Sequence, residues 1–330
     1  MFNFAGNKVL RMKKYDISIV IPAYNEAESL PELVSWIDRV CSGHTLSREI
    51  IIVDDGSTDG TWEAAADIAA RYSDVHALRF RRNYGKSAAL YCGFERASGD
   101  VVFTMDADLQ DSPDEIPGMY RMVKEEGWDI VSGWKEHRVD NALTKNLPSK
   151  LYNATARRIT GIKLHDMNCG LKAYRREVVK SIEVYGEMHR YIPYLAKNAG
   201  FSRITEKPVH HQKRKFGKSK FGPERFVNGF LDLLSLWFLG TFGKKPMHFF
   251  GYSGIAMFLV GFVMTVWIIA AKLVRQAHGT AFRAVTDQPL FYLALLAVIL
   301  GVMLFLAGFL GEMIARSGTE RNNYNIEKEI

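Results

Sequence analysis

The chain has 330 residues and carries 43 Lys and Arg against 36 Asp and Glu, a formal net charge of +7. Hydrophobic residues make up 48% of the chain, which excludes an intrinsically disordered protein and suffices for a sizeable core. Three cysteines exclude a dense disulfide framework, and reduced cytosolic thiols are the simplest interpretation. Residues 1–15 form an N-terminal arm without the pattern of a cleaved secretory signal.

Residues 16–221 are predicted to form a soluble α/β domain. Three short β-branched runs are predicted strands, at 16–22, 49–55 and 100–106. Helical patterns lie at 27–40, 61–72 and 86–97, and Asn25 is the expected N-cap of the first helix. Apolar strands that alternate with helices are typical of βαβ units in a sheet covered on both faces. The expected fold is therefore of the nucleotide-binding type.

Acidic side chains follow each predicted strand. Glu26 follows the first strand, Asp55 the second, and Asp106 and Asp108 the third. Because open parallel sheets bind ligands at the carboxyl ends of their strands, we expect these side chains to converge on one crevice. Asp106 and Asp108, with Gln110 nearby, are candidate ligands of a Mg²⁺ or Mn²⁺ ion that also binds diphosphate oxygens.

Two common phosphate-binding motifs are missing from the sequence. It contains no G-x-x-x-x-G-K-[ST] loop, which disfavours a P-loop NTPase. It also has no G-x-G-x-x-G after the first predicted strand, which disfavours a dinucleotide oxidoreductase. The acidic strand ends predict a metal-dependent diphosphate site instead.

A basic segment at 213–220 carries five Lys and Arg residues in eight positions. One interpretation is a stretch attracted to anionic lipid, at ~1 kcal/mol per charge. A sharper one uses Gly217, whose conformational freedom would let Arg214 and Lys220 face one phosphate group. The two interpretations are compatible. Nucleic-acid binding is disfavoured by the apolar runs that follow.

Two apolar runs near the end of the chain predict a helical hairpin in a membrane. Residues 247–271 and 290–311 contain no Lys, Arg, Asp or Glu, and about 20 helical residues cross the hydrocarbon core of a bilayer. Residues 222–245 are predicted to lie along the headgroups as an amphipathic helix, with an ordinary core helix as the alternative. The third domain is then 246–330, a two-helix hairpin with a cytosolic tail. Basic residues flank both runs, so topology is inferred from the large N-terminal domain, which lacks an export signal and is expected to stay in the cytosol at the inner membrane.

Five ordered motifs carry a family resemblance. They are IPAYNE, VDDGSTDGT, NYGKSAALYCGFERASGD, MDADLQD and DMNCGLKAYRREV, between residues 21 and 178. With them the chain resembles family 2 glycosyltransferases of the GT-A fold, which have a Rossmann-like mixed sheet. Together with the hairpin, it is similar to polyprenyl-phosphate glycosyltransferases such as bactoprenol glucosyltransferases and dolichyl-phosphate mannose synthases. The resemblance covers about 17–222 and, more loosely, both apolar runs.

The resemblance implies roles for residues of a nucleotide-sugar site. Base and ribose would be held by Pro22, Tyr24, Glu26, Val53 and Asp55. Diphosphate and metal would be held by Asp106, Ala107, Asp108 and Gln110. Lys86 would contact ribose or phosphate, although a solvated lysine at a helix start is a close alternative.

The resemblance also implies an acceptor-phosphate site. Arg214, Ser219 and Lys220 match the family element R-x-x-G-x-S-K, which contacts the phosphates of donor and lipid acceptor. Lys135 stands where dolichyl-phosphate mannose synthases carry arginine, and it lacks the bidentate fork of that residue.

Asp166 matches the D-x-x-C-G element, where an inverting enzyme would place a general base. An acceptor phosphate is already mostly a dianion at pH 7, so this nucleophile needs no deprotonation. Asp166 could instead orient the acceptor or a sugar hydroxyl, and its role stays open. Cys169 is interpreted as a structural thiol.

The expected reaction is inverting, metal-dependent transfer of one sugar from a nucleotide diphosphate sugar to polyprenyl (undecaprenyl) phosphate at the cytosolic membrane face. UDP-glucose is the first expected donor, followed by GDP-mannose, UDP-N-acetylglucosamine and an aminoarabinose donor. A processive polysaccharide synthase is the nearest alternative, although the Q-x-x-R-W element of such enzymes is missing. A catalytically silent scaffold is the alternative of another class. Glycines of the apolar runs could support a homo-oligomer.

Overall fold

The structure is a computed structural model that describes residues 15–135, 157, 160–212, 215, 238, 246–279, 284–317 and 326–329. The chain divides into two compact units. The first comprises Met1–Leu233 and Asn322–Ile330, and the second comprises Leu234–Arg321. From the sequence, the first domain was expected to end at residue 221, and the chain end was expected to belong to the hairpin. The structure groups the chain end with the first unit because of a strand that pairs there.

In the described residues of the first unit, eight strands form one mixed sheet in the order β7-β5-β6-β4-β1-β2-β3-β8. The strands are β1 Ile17–Ala23, β2 Arg48–Asp54, β3 Val75–Phe80, β4 Val101–Thr104, β5 Ile130–Trp134, β6 Lys172–Arg175, β7 Ile204–Pro208 and β8 Ile326–Glu329. The strands β4, β1, β2 and β3 run parallel, whereas β6 and β8 run antiparallel to their neighbours. The mixed α/β fold predicted from the sequence is thereby confirmed.

Helices cover the sheet and connect its strands. They are α1 Leu30–Gly43, α2 Thr61–Arg71, α3 Lys86–Arg96, α4 Ile116–Lys124, α5 Arg176–Lys180 and α6 Ile192–Asn198. The three predicted helices are confirmed within a few residues, but the predicted cap is wrong. Ser29 directly precedes α1, while Asn25 sits at a φ of 54° and accepts a hydrogen bond from the Thr58 N–H at 2.9 Å. Asn25 therefore holds the loop after β1 against the loop after β2.

The core of the first unit lies under the central strands. Ile17, Ile19 and Ile21 of β1 are fully buried, and they pack with Leu33 and Ile37 of α1 in one apolar cluster. Removing one such side chain down to alanine typically costs about 2–5 kcal/mol. This rigid centre fixes the carboxyl ends of β1, β2 and β4, from which the candidate site is built.

Strand β8 pairs with β3 although more than 240 residues separate them in sequence. Leu78 of β3 is in register with Glu329, and Arg79 with Lys328. The Glu329 carboxylate accepts two hydrogen bonds from the Arg96 guanidinium, at 2.9 and 3.1 Å. This fork-to-carboxylate geometry is the strong form of the ion pair. The sequence analysis did not predict β8.

The second unit contains two long apolar helices, α7 Pro246–Ala277 and α8 Pro289–Ser317. Within the described residues, Met247–Ala277 and Pro289–Gly311 are long and apolar enough to cross a membrane by length and composition. Their large side chains are turned outward, with Trp267 72% and Ile314 69% exposed. Apolar surface of this extent would be unfavourable in water and suits a hydrocarbon surrounding.

Glycines bring α7 and α8 close together. A Cβ atom on Gly254 would lie 2.6 Å from the Gly301 carbonyl oxygen, and one on Gly261 would lie 2.6 Å from the Ala294 carbonyl oxygen. Gly308 is similarly tight against Phe250. These glycines, expected from the sequence to offer contacts between chains, serve the contact within the hairpin. Association of chains through the apolar helices stays a prediction.

Several predicted features lie outside the described residues. They are the N-terminal arm except residue 15, the amphipathic helix at 222–245 except residue 238, and Arg214, Ser219 and Lys220 of the basic segment.

Candidate active site

A cavity of about 360 Å³ opens at the carboxyl ends of β1, β2 and β4. Glu26, Asp55, Asp106 and Asp108 all line it, so the predicted convergence of acidic strand ends is confirmed. Most of the residues expected to hold a nucleotide sugar line the same cavity. They are Pro22, Tyr24, Glu26, Asp55, Lys86, Asp106, Ala107, Asp108 and Gln110.

Three expected site residues do not line this cavity. Val53 is fully buried within β2, so its side chain is part of the core, and the expectation of a direct nucleotide contact has no support here. Asp166 is 3% exposed and is not a lining residue, although Asn168, two residues further along, lines the cavity. Lys135 is turned into a separate buried ion pair.

Asp55 fixes the loop that leads into α3. Its two carboxylate oxygens accept hydrogen bonds from the backbone N–H groups of Tyr84, at 2.7 Å, and Gly85, at 2.9 Å. Gly85 adopts a φ of 94°, a conformation that favours glycine, and Lys86 begins the helix directly after it. Burial raises the pKa of Asp55 to about 6, although both hydrogen bonds act in the opposite direction.

Hydrogen bonds hold the loop after β1 against the loop after β2 in the cavity wall that contains Glu26. The Glu26 backbone N–H donates to the Thr61 hydroxyl at 2.8 Å, and the Glu26 carboxylate accepts from the Ser29 hydroxyl at 2.9 Å. The Asn25 backbone N–H donates to the Ser57 hydroxyl at 2.9 Å. The loops after β1 and β2 therefore form one rigid wall, as a pre-organised ligand site requires.

Asp106 and Asp108 form the acidic end of the cavity. Asp106 is paired with the ammonium group of Lys86. The Asp106 carboxylate also packs against Gly170, where an added Cβ atom would lie 2.4 Å from Oδ2. Asp108 is 8% exposed and accepts a hydrogen bond from the Gln110 N–H at 3.2 Å. Between them in sequence, Leu109 adopts the left-handed conformation at a φ of 59°, a strained arrangement that clusters at functional sites.

These residues fit a divalent cation that arrives together with a diphosphate. In the part of the chain that the structure describes, no group of three or more His, Cys, Asp or Glu side chains could hold a metal ion. Asp106 and Asp108 would supply two hard oxygen ligands for Mg²⁺ or Mn²⁺, and substrate oxygens and water would complete the shell. Lys86 provides Asp106 with a counter-charge that a metal ion would replace or share.

A buried ion pair lies beside the acidic loop. Lys135, directly after β5, places Nζ 2.8 Å from Asp111 Oδ1, and His211 Nδ1 lies 3.7 Å from the same oxygen. Despite the opposing effect of burial, hydrogen bonding with His211 and the charge of Lys135 lower the pKa of Asp111 to about 2. The Gln212 N–H donates to the Gln110 carbonyl oxygen at 2.9 Å, so the chain that leads into the basic segment is attached to the acidic loop. Asp111 was not among the site residues expected from the sequence, although it is part of the motif MDADLQD.

The floor of the cavity comes from the segment before β6. Asp166 accepts a hydrogen bond from the Asn168 N–H at 3.0 Å and so shapes this segment. Burial raises the pKa of the Cys169 thiol to about 12, which agrees with a structural thiol and not with a nucleophile. Lys172 is buried at the start of β6 and donates to the Cys169 carbonyl oxygen.

Several other lining residues were not expected from the sequence. Four of those with polar side chains are Asn83, Lys172, His189 and Arg190. Lys172 lies inside a motif that carries the resemblance, but His189 and Arg190 lie in a 3₁₀ turn, Met188–Tyr191, with no local signal for chemistry. Only the tertiary fold brings that turn to α3.

Comparisons with known proteins agree with this geometry. The family model "Glycosyl transferase family 2" matches residues 18–183. A dodecaprenyl-phosphate galacturonate synthase of Rhizobium johnstonii is 33% identical over 93% of this chain and 89% of its own length. An undecaprenyl-phosphate 4-deoxy-4-formamido-L-arabinose transferase of Yersinia pestis is 37% identical over 95% of this chain and 93% of its own length.

A solved structure shares the fold. Glucosyl-3-phosphoglycerate synthase from Mycobacterium tuberculosis, in complex with Mn²⁺, UDP and glucosyl-3-phosphoglycerate, superposes with a TM-score of 0.52. It is 21% identical, and the match covers 67% of this chain and 80% of that one. This likeness confirms the GT-A type of fold. The family model spans half of this chain, and the relatives match it almost throughout, so the protein belongs to glycosyl transferase family 2.

Proposed function

We propose that the protein transfers one sugar from a nucleotide diphosphate sugar to polyprenyl phosphate at the cytosolic face of the inner membrane. The observation that carries this proposal is the cavity in which Asp106, Asp108 and Lys86 meet at the strand ends. Its combination with two membrane-length helices supports a lipid acceptor. The relatives in Rhizobium and Yersinia, both named for polyprenyl phosphates, match this chain through those helices.

The donor fits the cavity with its base and ribose toward Tyr24 and Asp55 and its diphosphate toward Asp106 and Asp108. A bound Mg²⁺ or Mn²⁺ would neutralise charge on the leaving diphosphate. Lys86 begins α3 between the two ends and can contact ribose or phosphate. We expect most of the rate enhancement to come from positioning and charge neutralisation.

The reaction forms a bond between an acceptor phosphate oxygen and C1 of the sugar, and it breaks the bond from C1 to the diphosphate. The nucleoside diphosphate leaves with that electron pair, and attack from the opposite face inverts the configuration at C1. The dianionic acceptor has no proton to lose, so no base is required. Asp166, which does not line the cavity, is proposed to position the floor segment through Asn168. Arg214, Ser219 and Lys220 remain the proposed acceptor-phosphate contacts, and Lys135, which is paired with Asp111, is proposed to be a positioning residue.

The structure supports the proposed topology through β8. This strand follows both apolar helices in sequence, yet it pairs with β3 of the first unit. This pairing fits a chain that returns to the side of the membrane from which it entered. An even number of crossings is the requirement that follows, and the two candidate spans meet it.

The donor sugar is the finer part of the proposal. UDP-glucose is our first candidate, followed by GDP-mannose, UDP-N-acetylglucosamine and an aminoarabinose donor. The names of the relatives add galacturonate and 4-deoxy-4-formamido-L-arabinose to the set to be tested.

The test is transfer of radiolabel from each nucleotide sugar into chloroform-extractable lipid by the purified full chain with undecaprenyl phosphate and Mg²⁺ or Mn²⁺. We expect label from one donor, lost with a chelator and in Asp108→Ala. Glu63→Gln, at an exposed position on α2, is the matched control and should keep activity. Transfer from no donor despite nucleotide binding would contradict the lipid acceptor. Failure to bind any nucleotide would favour a silent scaffold, and long polymeric products would favour a processive synthase.

A further inference from the structure

Three basic side chains form part of the cavity wall. They are Lys172, His189 and Arg190, and Asn168 and Gly170 line the same cavity. Arg190 exposes 12% of its side chain and is always charged, since arginine does not lose its proton in proteins. The roles proposed above for donor, metal and basic segment leave this wall unassigned.

Ser87 orients the His189 ring. The His189 backbone N–H donates to the Ser87 hydroxyl oxygen at 3.0 Å, and that hydroxyl lies 3.0 Å from His189 Nδ1. Ser87 is 1% exposed, so its hydroxyl hydrogen needs an acceptor, and donation to Nδ1 satisfies it. The neutral His189 ring then carries its own hydrogen on Nε2. His189 is therefore a hydrogen-bond donor in the cavity wall, one residue away from Lys86 through Ser87.

Arg190 pairs with an exposed carboxylate. Its Nη2 lies 3.3 Å from Glu187 Oε2, and the Glu187 side chain is 52% exposed. An exposed ion pair of this kind contributes little to stability, so Glu187 can be changed without a large effect on the fold. A planar fork of N–H donors in a cavity wall matches the oxygens of a phosphate group.

The charges in the cavity leave a role for His189 and Arg190 as hydrogen-bond donors to a phosphate group. The proposed reaction brings a donor diphosphate and a dianionic acceptor phosphate into one cavity that already contains Asp106 and Asp108. Lys86 is paired with Asp106, and a metal ion would serve the diphosphate. Two phosphate groups repel each other unless further cations lie between or beside them.

We propose that His189 and Arg190 bind the phosphate of the acceptor lipid beside the donor sugar. This inference rests on the proposed function and adds a contact outside the basic segment. Arg190 supplies the charged fork, His189 supplies the Nε2 hydrogen, and Ser87 sets the ring orientation. The oxyanion that this pair binds is the acceptor phosphate. A carboxylate on the donor sugar is the alternative anion that the same two side chains would recognise.

The test compares KM for a short-chain isoprenyl phosphate with the dissociation constant of UDP in Arg190→Met, Arg190→Lys and wild type. We expect Arg190→Met to raise the acceptor KM roughly 10- to 100-fold, the factor typical of one charged hydrogen bond, with UDP affinity unchanged. Arg190→Lys keeps the charge without the fork and should fall between the two. Glu187→Gln removes the ion pair of Arg190 alone, and it should leave the acceptor KM close to wild type.

Four outcomes would overturn the assignment. They are an unchanged acceptor KM in Arg190→Met, a loss of UDP binding in both Arg190 variants, an equal effect of Glu187→Gln, and a loss confined to UDP-uronate donors, which would assign the pair to a donor carboxylate. If Arg190→Met does not fold, Arg190→Lys carries the comparison alone. Absence of lipid transfer by wild type would instead contradict the proposed function, so the two failures are distinguishable.

Discussion

Lys135 Nζ lies 2.8 Å from Asp111 Oδ1, in an ion pair where the lysine side chain is 13% and the aspartate side chain 1% exposed. Removing one partner of a buried pair leaves an uncompensated charge. We expect Lys135→Met to lower the free energy of unfolding by about 3–5 kcal/mol. Lys124→Met is the matched control, because its pair with Asp100 at 2.7 Å leaves the lysine 46% exposed and should contribute less than about 1 kcal/mol. Equal shifts of the thermal midpoint in detergent would contradict this ranking.

The same pair predicts a dependence on acid. The pKa of Asp111 is lowered from 3.8 to about 2, so the folded state binds its proton more weakly than the unfolded state does. The stabilisation is therefore present above about pH 4 and is lost as the pH falls toward 2. Asp111→Asn should remove this acid-dependent loss of stability, which unfolding midpoints between about pH 2 and 5 would measure. If the unfolding midpoint of Asp111→Asn fell with pH as steeply as that of wild type, Asp111 would not be the group responsible for the acid dependence.

Asp55 predicts the opposite dependence. Its pKa rises from 3.8 to about 6, so the folded state binds the Asp55 proton more tightly than the unfolded state does. Its contribution to stability is then present below about pH 4 and falls as the pH rises to about 6, by at most ~3 kcal/mol. Asp55→Asn should abolish this part of the fall, as measured by unfolding midpoints between about pH 4 and 7. Glu63→Gln, at an exposed site on α2, is the control. A slope unaltered by Asp55→Asn would exclude a raised Asp55 pKa.

A substitution at Gly170 can displace Asp106, a proposed metal ligand, without removing its side chain. Gly170→Ala would place a Cβ atom 2.4 Å from Asp106 Oδ2, so the carboxylate has to move. We expect weaker Mn²⁺-dependent UDP binding, roughly tenfold or more, as loss of one good ligand contact would give. Gly43→Ala is the matched control, since nothing lies within 4 Å of its added Cβ. Isothermal titration of both variants checks this prediction, and unchanged binding in Gly170→Ala would place the metal elsewhere.

Lys86 predicts a competition with the metal ion. In the structure, the Lys86 ammonium group forms an ion pair with the Asp106 carboxylate. Lys86→Met should therefore tighten Mn²⁺ binding to the nucleotide-free protein about fivefold, the factor that corresponds to ~1 kcal/mol for a partly exposed ion pair. Affinity for UDP should fall, because the diphosphate loses a cation. Electron paramagnetic resonance titration of Mn²⁺ measures the first effect. Wild-type Mn²⁺ affinity in Lys86→Met would show that the ion pair does not compete.

The parallel centre of the sheet was predictable because its signals are local. Apolar runs that end in Asp55 or Asp106 mark both a buried strand and the ligand edge of the sheet. Val53 has its side chain packed in the core, and the nucleotide contact that the family resemblance implies for it stays a prediction. Asn25 was wrongly expected to cap a helix, because a turn residue before a helix can hold another loop instead.

The rest of the site depends on contacts that no local pattern records. His189 and Arg190 reach the cavity through a 3₁₀ turn that packs on α3, far away in sequence. Asp111 gains its meaning from Lys135 and His211, which come from two other segments. Charged residues of this kind look like ordinary surface positions until the tertiary fold places them in a cavity or a buried pair.

The position of β8 imposes an order of events during synthesis. The ribosome completes β3 more than 240 residues before β8, and both apolar helices emerge between them. Until the hairpin has been inserted and the chain has returned, β3 presents an unpaired edge, which is a template for wrong pairing. In the proposed topology, the sheet is therefore completed only after the hairpin has been inserted into the membrane. A chain stalled in the bilayer would carry an incomplete edge that chaperones and proteases can recognise.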